Sequence, residues 1–298
     1  MSILVTGASG HLGRRVVELL LEQKIHGPII ATTRKPERIR DLHAKGVDVR
    51  QADFDDELGL LTAFRGAERA LLVSTNNLDA PGRRGEQHKK AVRAFEKVGV
   101  RFIAYTSMLN PVTSPVLLAP DHMMTEQAIA GTKMDYALLR NSLYAELLLT
   151  ALPTAVSAGQ VVDARNNGMV SYVSREDCAR VAASVLMERT ANARRTLDVT
   201  GPQGVTSDLV ASYAAEITGK QIKYLSVSPE KLVRLMGEQG LPRQVADLYV
   251  SFDVAVARGD FATVSDTVKR LTGRDPQSVR DFLAVHKAAL LPQRRASA

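Results

Sequence analysis

The sequence holds a single cysteine, Cys178, so no intrachain disulfide can form, in agreement with a reducing cytoplasmic compartment. In the helical run 177–185 its thiol reads as a small core group rather than a nucleophile. No apolar run is long enough to span a bilayer, and the chain enters a strand at once, so neither a membrane segment nor a signal peptide is expected. No cluster of His, Cys and carboxylates has metal-ligand spacing, which leaves metal catalysis without support. The basic balance, a net charge of +7 and a pI near 9.6, comes without a nucleic-acid motif or an aromatic-interleaved basic stripe. The denser spots, Arg83 and Arg84 with Lys89 and Lys90, and Arg294 with Arg295, read as solvated faces. A positive field also attracts an anionic dinucleotide.

What is present is ordinary in bulk: 298 residues, 45% hydrophobic and 24% charged, enough for one large domain or two unequal lobes. The informative stretch is residues 3–13, I-L-V-T-G-A-S-G-H-L-G. Ile3, Leu4 and Val5 are sized for a buried parallel strand. Gly7, Gly10 and Gly13 follow at a spacing of three, and Leu12, Val16, Val17, Leu19, Leu20 and Leu21 then make the apolar face of a helix running to about Lys24. Strand, glycine turn and helix N-terminus in this order suit a nucleotide diphosphate. Gly7 permits a tight turn, Gly10 a close approach of backbone to phosphate, and Gly13 close packing of helix on sheet. The helix dipole and free N–H groups then face the anion.

The same cadence continues. Strands are expected at 28–33, 47–52, 70–73, 101–105 and 134–139, separated by helices at about 36–45, 56–64, 84–98 and 121–130. Repeated strand–helix units predict an α/β, Rossmann-type doubly wound parallel sheet, with ligands over the carboxyl ends of the strands. Arg34 stands at the end of the second strand, and no Asp or Glu lies between Gly27 and Pro36. An acid there would bind the 2′-hydroxyl of NAD, whereas an arginine accommodates the 2′-phosphate of NADP. The other strand ends carry Asp53 and Phe54, Ser74, Thr75 and Asn76, and Thr106 and Ser107. Beyond Tyr144 the cadence changes: helices at 146–157, 175–189 and 207–218 (N-cap candidate Ser207), strands at 168–173, 197–200 and 223–227, then mostly helix to about Leu290 and a polar tail 292–298. The division expected is a dinucleotide-binding part, 1–152 with a returning segment 168–200, and a smaller C-terminal α/β lobe, 201–298, that is mostly helical and covers substrate.

Several segments together, T-G-A-S-G-H-L-G, R-Q-A-D-F at 50–54, F-I-A-Y-T-S at 102–107 and L-L-R-N at 138–141, resemble the NmrA-like atypical short-chain dehydrogenases. Within that group the sequence is similar to the bacterial type 2 NAD(P)H:quinone oxidoreductases, with the triphenylmethane reductases as near relatives. The resemblance covers nearly the whole chain. It implies NADPH as cofactor and a cleft that admits a small aromatic or quinone-like molecule. It implies further that Thr6, Gly7, Ser9, Gly10, His11, Leu12 and Gly13 surround the pyrophosphate and that Arg34 holds the 2′-phosphate. Asp53 and Phe54 would sit beside the adenine, and Ser74, Thr75, Asn76 and Tyr105, Thr106 and Ser107 would line the dinucleotide. Asn141 and Tyr144 would approach the nicotinamide and substrate.

One departure carries weight. Members of the superfamily typically bear a Tyr-x-x-x-Lys pair after the fifth strand, and here residues 118–122 read L-A-P-D-H. That pair donates a proton to an alkoxide forming on a ketone. A quinone that accepts a hydride gives instead a phenolate-like anion, whose conjugate acid resembles a Tyr side chain with pKa near 10, and so needs little help from a strong acid. His122 stands where the family's lysine would be, either bonding the nicotinamide ribose or relaying a proton, or else simply facing solvent. Tyr144 either orients a substrate or forms an apolar wall. Three readings stay open: a flavin- and metal-free NADPH-dependent quinone reductase, a reductase of dyes, azo compounds or imines, and a dinucleotide-binding regulator that turns nothing over. A homodimer through the helices flanking the fourth and fifth strands is compatible with the pattern.

Overall fold

The computed structural model describes residues 1–78, 80–188 and 194–291. The elements run β1 (Ile3–Val5), α1 (His11–Glu22), β2 (Ile29–Thr33), α2 (Arg40–Ala44), β3 (Asp48–Gln51), α3 (Glu57–Ala63), β4 (Arg69–Leu72), α4 (Arg83–Lys97), β5 (Phe102–Met108), α5 (Ala119–Ala130) and β6 (Asp135–Asn141). They continue with α6 (Leu148–Ala158), β7 (Gln160–Asp163), α7 (Arg175–Met187), β8 (Arg195–Val199), α8 (Ser207–Thr218), β9 (Lys223–Ser226), α9 (Pro229–Glu238), α10 (Arg243–Ala257), α11 (Thr267–Thr272), α12 (Val279–Val285) and α13 (Lys287–Leu290). Seven strands form one sheet in the order β3-β2-β1-β4-β5-β6-β8. Every pairing in it is parallel, and the order reverses on either side of β1, between β2 and β4. A crevice at the carboxyl end of β1 is therefore where such a sheet takes a ligand.

Both faces are covered. Ile3, Val5, Val16, Leu20, Val181 and Val185 form the core between the sheet and α1 with α7, and Leu4, Leu60, Phe64, Phe95 and Ile103 form the core against α3 and α4. Strands buried on both sides explain why β1, residues 70–72 of β4 and residues 102–104 of β5 read as apolar runs rather than as alternating ones. A third core, including Leu152, Val210, Val256 and Phe282, joins α6, α8, α10 and α12. Cys178 is buried in the first core, and burial pushes its thiol pKa well up, as suits a packing group.

The structure departs from the sequence-based assignment in three places. Residues 168–173 are not a strand: Tyr144 and Val173 form one isolated bridge and Val170 and Val205 another. The strand of that region is β7, which pairs in parallel with β9 as a separate two-stranded sheet. Its Q-V-V-D is short and half-buried, too brief to stand out by period. Finally, α8 is capped by Thr206, whose side chain accepts from the Leu209 N–H, and not by Ser207, which instead donates to Asp163. The expected tail 292–298, residue 189 of the helix expected over 175–189 and the Arg294–Arg295 spot lie outside the described residues.

Candidate active site

At the end of β1 the chain turns at Gly7, whose φ of +61° is costly for any residue with a Cβ. The Gly10 N–H closes the turn on the Gly7 carbonyl at 2.9 Å. Gly10 then opens α1 in extended conformation and offers no side-chain cap, and the first turn carries no acidic residue. The initial N–H groups of α1 are thus left to the crevice, with the positive end of the dipole and no carboxylate to repel an anion. A Cβ on Gly13 would lie 2.6 Å from the Gly7 carbonyl oxygen and 2.9 Å from that of Thr6. Only hydrogen fits there, so helix and turn meet backbone to backbone. On Gly10 a Cβ would meet nothing nearer than 3.3 Å, the Gly7 oxygen. The arrangement fits a dinucleotide diphosphate.

Neighbouring strand ends frame this turn. Thr6 Oγ1 accepts from the Val73 N–H at 2.9 Å, and a Cβ on Gly7 would rest 3.5 Å from Val73 Cβ. Thr33 donates to Ser9 Oγ at 2.8 Å, tying the end of β2 to the glycine turn. Arg34 follows, exposed, with no hydrogen bond or ion pair among the described residues. Ser9 and His11 are exposed at the turn, while Leu12 is buried under it. Asp53 is exposed and its Oδ1 accepts from the Asp55 N–H at 3.0 Å, so it shapes its own turn. Phe54 is half-buried, edge-on to His88 at 6.5 Å.

The ends of β4, β5 and β6 are held from behind by polar groups. Thr106 Oγ1 accepts from the Ser74 N–H at 2.8 Å and donates to Ser74 Oγ at 3.2 Å. Ser107 donates to Glu126 Oε1 at 2.7 Å, and Arg140 grips both oxygens of Glu126, at 3.0 and 2.7 Å. Asn76 is exposed. Side chains of Tyr105, Thr106 and Ser107 are all buried, so they support the crevice wall rather than face its opening.

His122 does not face solvent: it is 7% exposed. Its Nδ1 meets the Tyr105 hydroxyl at 2.8 Å, and its Nε2 meets Arg84 Nη2 at 3.4 Å. Because a guanidinium only donates, Nε2 is the acceptor and Nδ1 carries the proton. Burial, with Arg84 next to it, pushes the His122 pKa well down, and burial pushes the Tyr105 hydroxyl up. Neither group is poised to give a proton near neutral pH. The sequence reading missed Arg84 and His88, taking the basic run around them for a solvated face. Both are buried, at 5% and 0% exposed. The signal was in the spacing: 84, 88, 91, 92 and 95 share one helical face, and that face is inward.

At the end of β6, Asn141 is 5% exposed and its Nδ2 donates to the Tyr144 hydroxyl at 3.2 Å. Asn141 Oδ1 is buried with no hydrogen-bond partner among the described residues. The Tyr144 ring is half-buried beneath the Arg175 guanidinium at 5.3 Å, and burial raises its hydroxyl pKa. The loop after β5 is fastened to the α10 region: the Leu117 N–H donates to Ser251 Oγ at 3.2 Å and Asn110 Nδ2 to the Asp260 carbonyl at 2.6 Å. Leu117 and Tyr249 in these two segments stay about half exposed, at 55% and 52%. Among the described residues no group of three or more His, Cys, Asp and Glu could hold a metal ion, and no helix is long and apolar enough to cross a membrane.

Residues 7–189 match the family model described as NAD(P)H-binding. The chain belongs to this NAD(P)H-binding family. It is 35% identical to quinone oxidoreductase 2 of Escherichia coli over 95% of this chain and 97% of that protein. The crystal structure of an E. coli NADPH-dependent quinone oxidoreductase complexed with NADPH superposes with a TM-score of 0.90 at 33% identity, covering 96% of this chain and 99% of that one. The Citrobacter triphenylmethane reductase gives 0.88 at 31% identity, covering 97% and 99%. The NAD(P)H azoreductase of Xenophilus azovorans is 27% identical over 96% of this chain and 98% of its own length. The resemblance stated from the sequence is borne out, as is the Rossmann-type fold.

Proposed function

We propose that this protein is an NADPH-dependent oxidoreductase that passes a hydride to a quinone or a similarly electron-poor aromatic acceptor, without flavin or metal. The observation that carries this reading is a diphosphate cradle beside an α5 whose titratable residues, Asp121, His122 and Glu126, are all buried. A ketone reductase has to protonate an alkoxide as it forms. A quinone yields a phenolate-like anion, stable enough near neutral pH to take its proton from water. The same α5 that disfavours alcohol chemistry therefore suits quinone chemistry.

In this reading the backbone of Gly7, Gly10, Leu12 and Gly13 binds the pyrophosphate, and the exposed Arg34 supplies a planar fork for the 2′-phosphate. Asp53 and Phe54 border the adenine, and Ser74, Thr75 and Asn76 border the riboses. When bound, NADPH supplies the hydride. Asn141 offers its buried Oδ1 to an N–H of the nicotinamide amide, orienting the ring, while Tyr144 walls the cleft. The acceptor lies between the segments 108–120 and 240–260, against Leu117 and Tyr249, whose exposed apolar surface suits a flat ring. Residues 1–152 with 168–200 serve the cofactor, and the part from 201 onward covers substrate. Relatives named for quinone, azo and triphenylmethane acceptors support a wide cleft for conjugated rings. The single buried thiol fits a cytoplasmic setting, and a homodimer would use the outer faces of α4 and α5.

The test is the loss of NADPH absorbance with purified protein, with and without a benzoquinone, a triphenylmethane dye or an azo compound. Rapid quinone-dependent oxidation is expected. Tight NADPH binding with no turnover on any acceptor would instead identify a dinucleotide-reporting regulator.

A further inference from the structure

We propose that Arg84 and His88, two buried residues on one face of α4, are positioning residues that fix the crevice loop 74–76 through its main chain and so set dinucleotide affinity. The inference rests on the reading that this loop lines the cofactor. His88 Nε2 accepts from the Thr75 N–H at 3.0 Å, and Arg84 Nε donates to the Thr75 carbonyl at 2.7 Å. Both main-chain groups of one loop residue are thus held by two side chains one helical turn apart. A loop with no sheet partner gains from α4 what a strand gains from a ladder.

These two side chains are themselves anchored. With Nε2 accepting, His88 Nδ1 carries the proton and donates to Thr125 Oγ1 at 2.9 Å, and Thr125 donates onward to the Asp121 carbonyl at 2.7 Å. Arg84 faces His122 Nε2, with the Asp121 carboxylate 3.7 Å from its Nη1. The Asp121 Oδ1 also accepts from the Gly85 N–H at 3.3 Å. A Cβ on Gly85 would come within 2.7 Å of Met124 Sδ, so α4 and α5 are in close contact at this point. The His88 ring lies edge-on between Phe54, at the end of β3, and Tyr105, at 6.5 and 5.6 Å. One imidazole therefore touches the adenine side of the crevice, its ribose side and the β5 wall. Helices α4 and α5 hold the crevice loop as one unit with the sheet.

The experiment measures the NADPH dissociation constant by fluorescence and amide exchange of segment 74–77, for His88→Phe, His88→Gln, Arg84→Met and Arg84→Lys. His88→Phe keeps an aromatic body but removes the acceptor, and Arg84→Met keeps the stem but removes the donor. Each is expected to weaken NADPH binding by about tenfold or more and to speed exchange at Thr75, as loss of a buried hydrogen-bond partner does. His88→Gln, with an oxygen for the Thr75 N–H, and Arg84→Lys are expected to recover part of both. Arg69→Met is the control: Arg69 is equally buried, 3.8 Å over the Phe102 ring and bonded to the Val185 carbonyl, but at the opening end of β4. It should lower thermal stability and leave NADPH affinity alone. Unchanged affinity and exchange in His88→Phe and Arg84→Met, or an equal affinity loss in Arg69→Met, overturns the proposal. Wild-type protein that binds no NADPH would refute the functional reading as well, which unchanged variants of a binding wild type would not.

Discussion

Gly13→Ala is the perturbation that probes the crevice most directly. The new methyl carbon would sit 2.6 Å from the Gly7 oxygen, 2.9 Å from the Gly7 carbonyl carbon and 2.9 Å from the Thr6 oxygen. All three are backbone atoms of a turn pinned by the Gly10–Gly7 and Thr6–Leu71 hydrogen bonds, so none can rotate away. Relief requires α1 to lift off the turn. Overpacking of a well-packed site costs about 1–3 kcal/mol, and the rigidity of the neighbours puts this case toward the upper end. Alanine returns about 1 kcal/mol of helix propensity, leaving a net loss on the order of 1–2 kcal/mol. That is a fall of a few degrees in Tm. The lifted helix also carries its N–H groups away from the diphosphate, so affinity for NADPH should fall by more than tenfold. Gly10→Ala is the matched comparison, because its methyl meets only the Gly7 oxygen at 3.3 Å. It should keep the Tm within a degree or two yet obstruct the phosphate. Scanning calorimetry and NADPH titration of both variants check this. A Gly13→Ala protein with wild-type Tm and affinity would refute the close approach on which the cradle rests.

Arg34→Ala should weaken NADPH binding by about ten- to a hundredfold while sparing NADH, the loss of one or two charged hydrogen bonds to phosphate; parallel titrations of both nucleotides decide it. Asp253→Ala leaves the Arg165 guanidinium, which Asp253 holds at 2.7 Å, short of its nearest partner charge in a buried network with Asp163 and Tyr172. Asp163, 3.8 Å away, still faces the guanidinium, so the cost should stay below the about 3–5 kcal/mol of an uncompensated buried charge, read as a shift in denaturant midpoint. Burial, with Arg84 next to it, drops the pKa of His88 from 6.5 to about 3 in the folded protein. Above pH 6.5 both states are neutral there and nothing changes; below it the unfolded chain takes up a proton that the folded one refuses. Stability should therefore fall from pH 6.5 toward pH 3, by on the order of 2 kcal/mol at pH 5, and His88→Gln should flatten that slope in pH-resolved unfolding.

The glycine turn and the parallel sheet were legible because their physics is local. Gly7 and Gly13 each answer a steric demand visible within a dozen residues, and strands buried on both faces appear as apolar runs. Arg34 stands just after β2 and is exposed, as its place in the sequence implied. What stayed hidden depends on the packing of distant elements. His88 reads as one more polar residue in a basic helix until Thr75, Thr125 and Tyr105 are brought around it. His122 could not be assigned to solvent or to cofactor from its neighbours alone, because Arg84, which occupies its Nε2, comes from another helix. The strand β7 pairs with β9, sixty-odd residues on, and its four residues carry no period to see.

Asn141 gives the sharpest separation of stability from function. Its Oδ1 is buried and has no hydrogen-bond partner among the described residues, an arrangement that costs a protein about 1–3 kcal/mol. Its Nδ2 is spent on Tyr144, whose hydroxyl lies 3.2 Å away on a ring that is only half-buried. Asn141→Leu, of similar size, removes the orphaned acceptor and one modest hydrogen bond together. Folding should be unchanged or improved, with a Tm equal to wild type or a few degrees higher. If the oxygen is kept because it orients the nicotinamide, kcat with NADPH and benzoquinone should fall at least tenfold while NADPH affinity, set mainly by the diphosphate and 2′-phosphate, changes little. Lost stability together with intact turnover would place Asn141 among the groups that hold the β6 end and remove it from the reaction. A residue that destabilises the fold and speeds nothing has no reason to be there, whereas one that destabilises the fold and aims a hydride does.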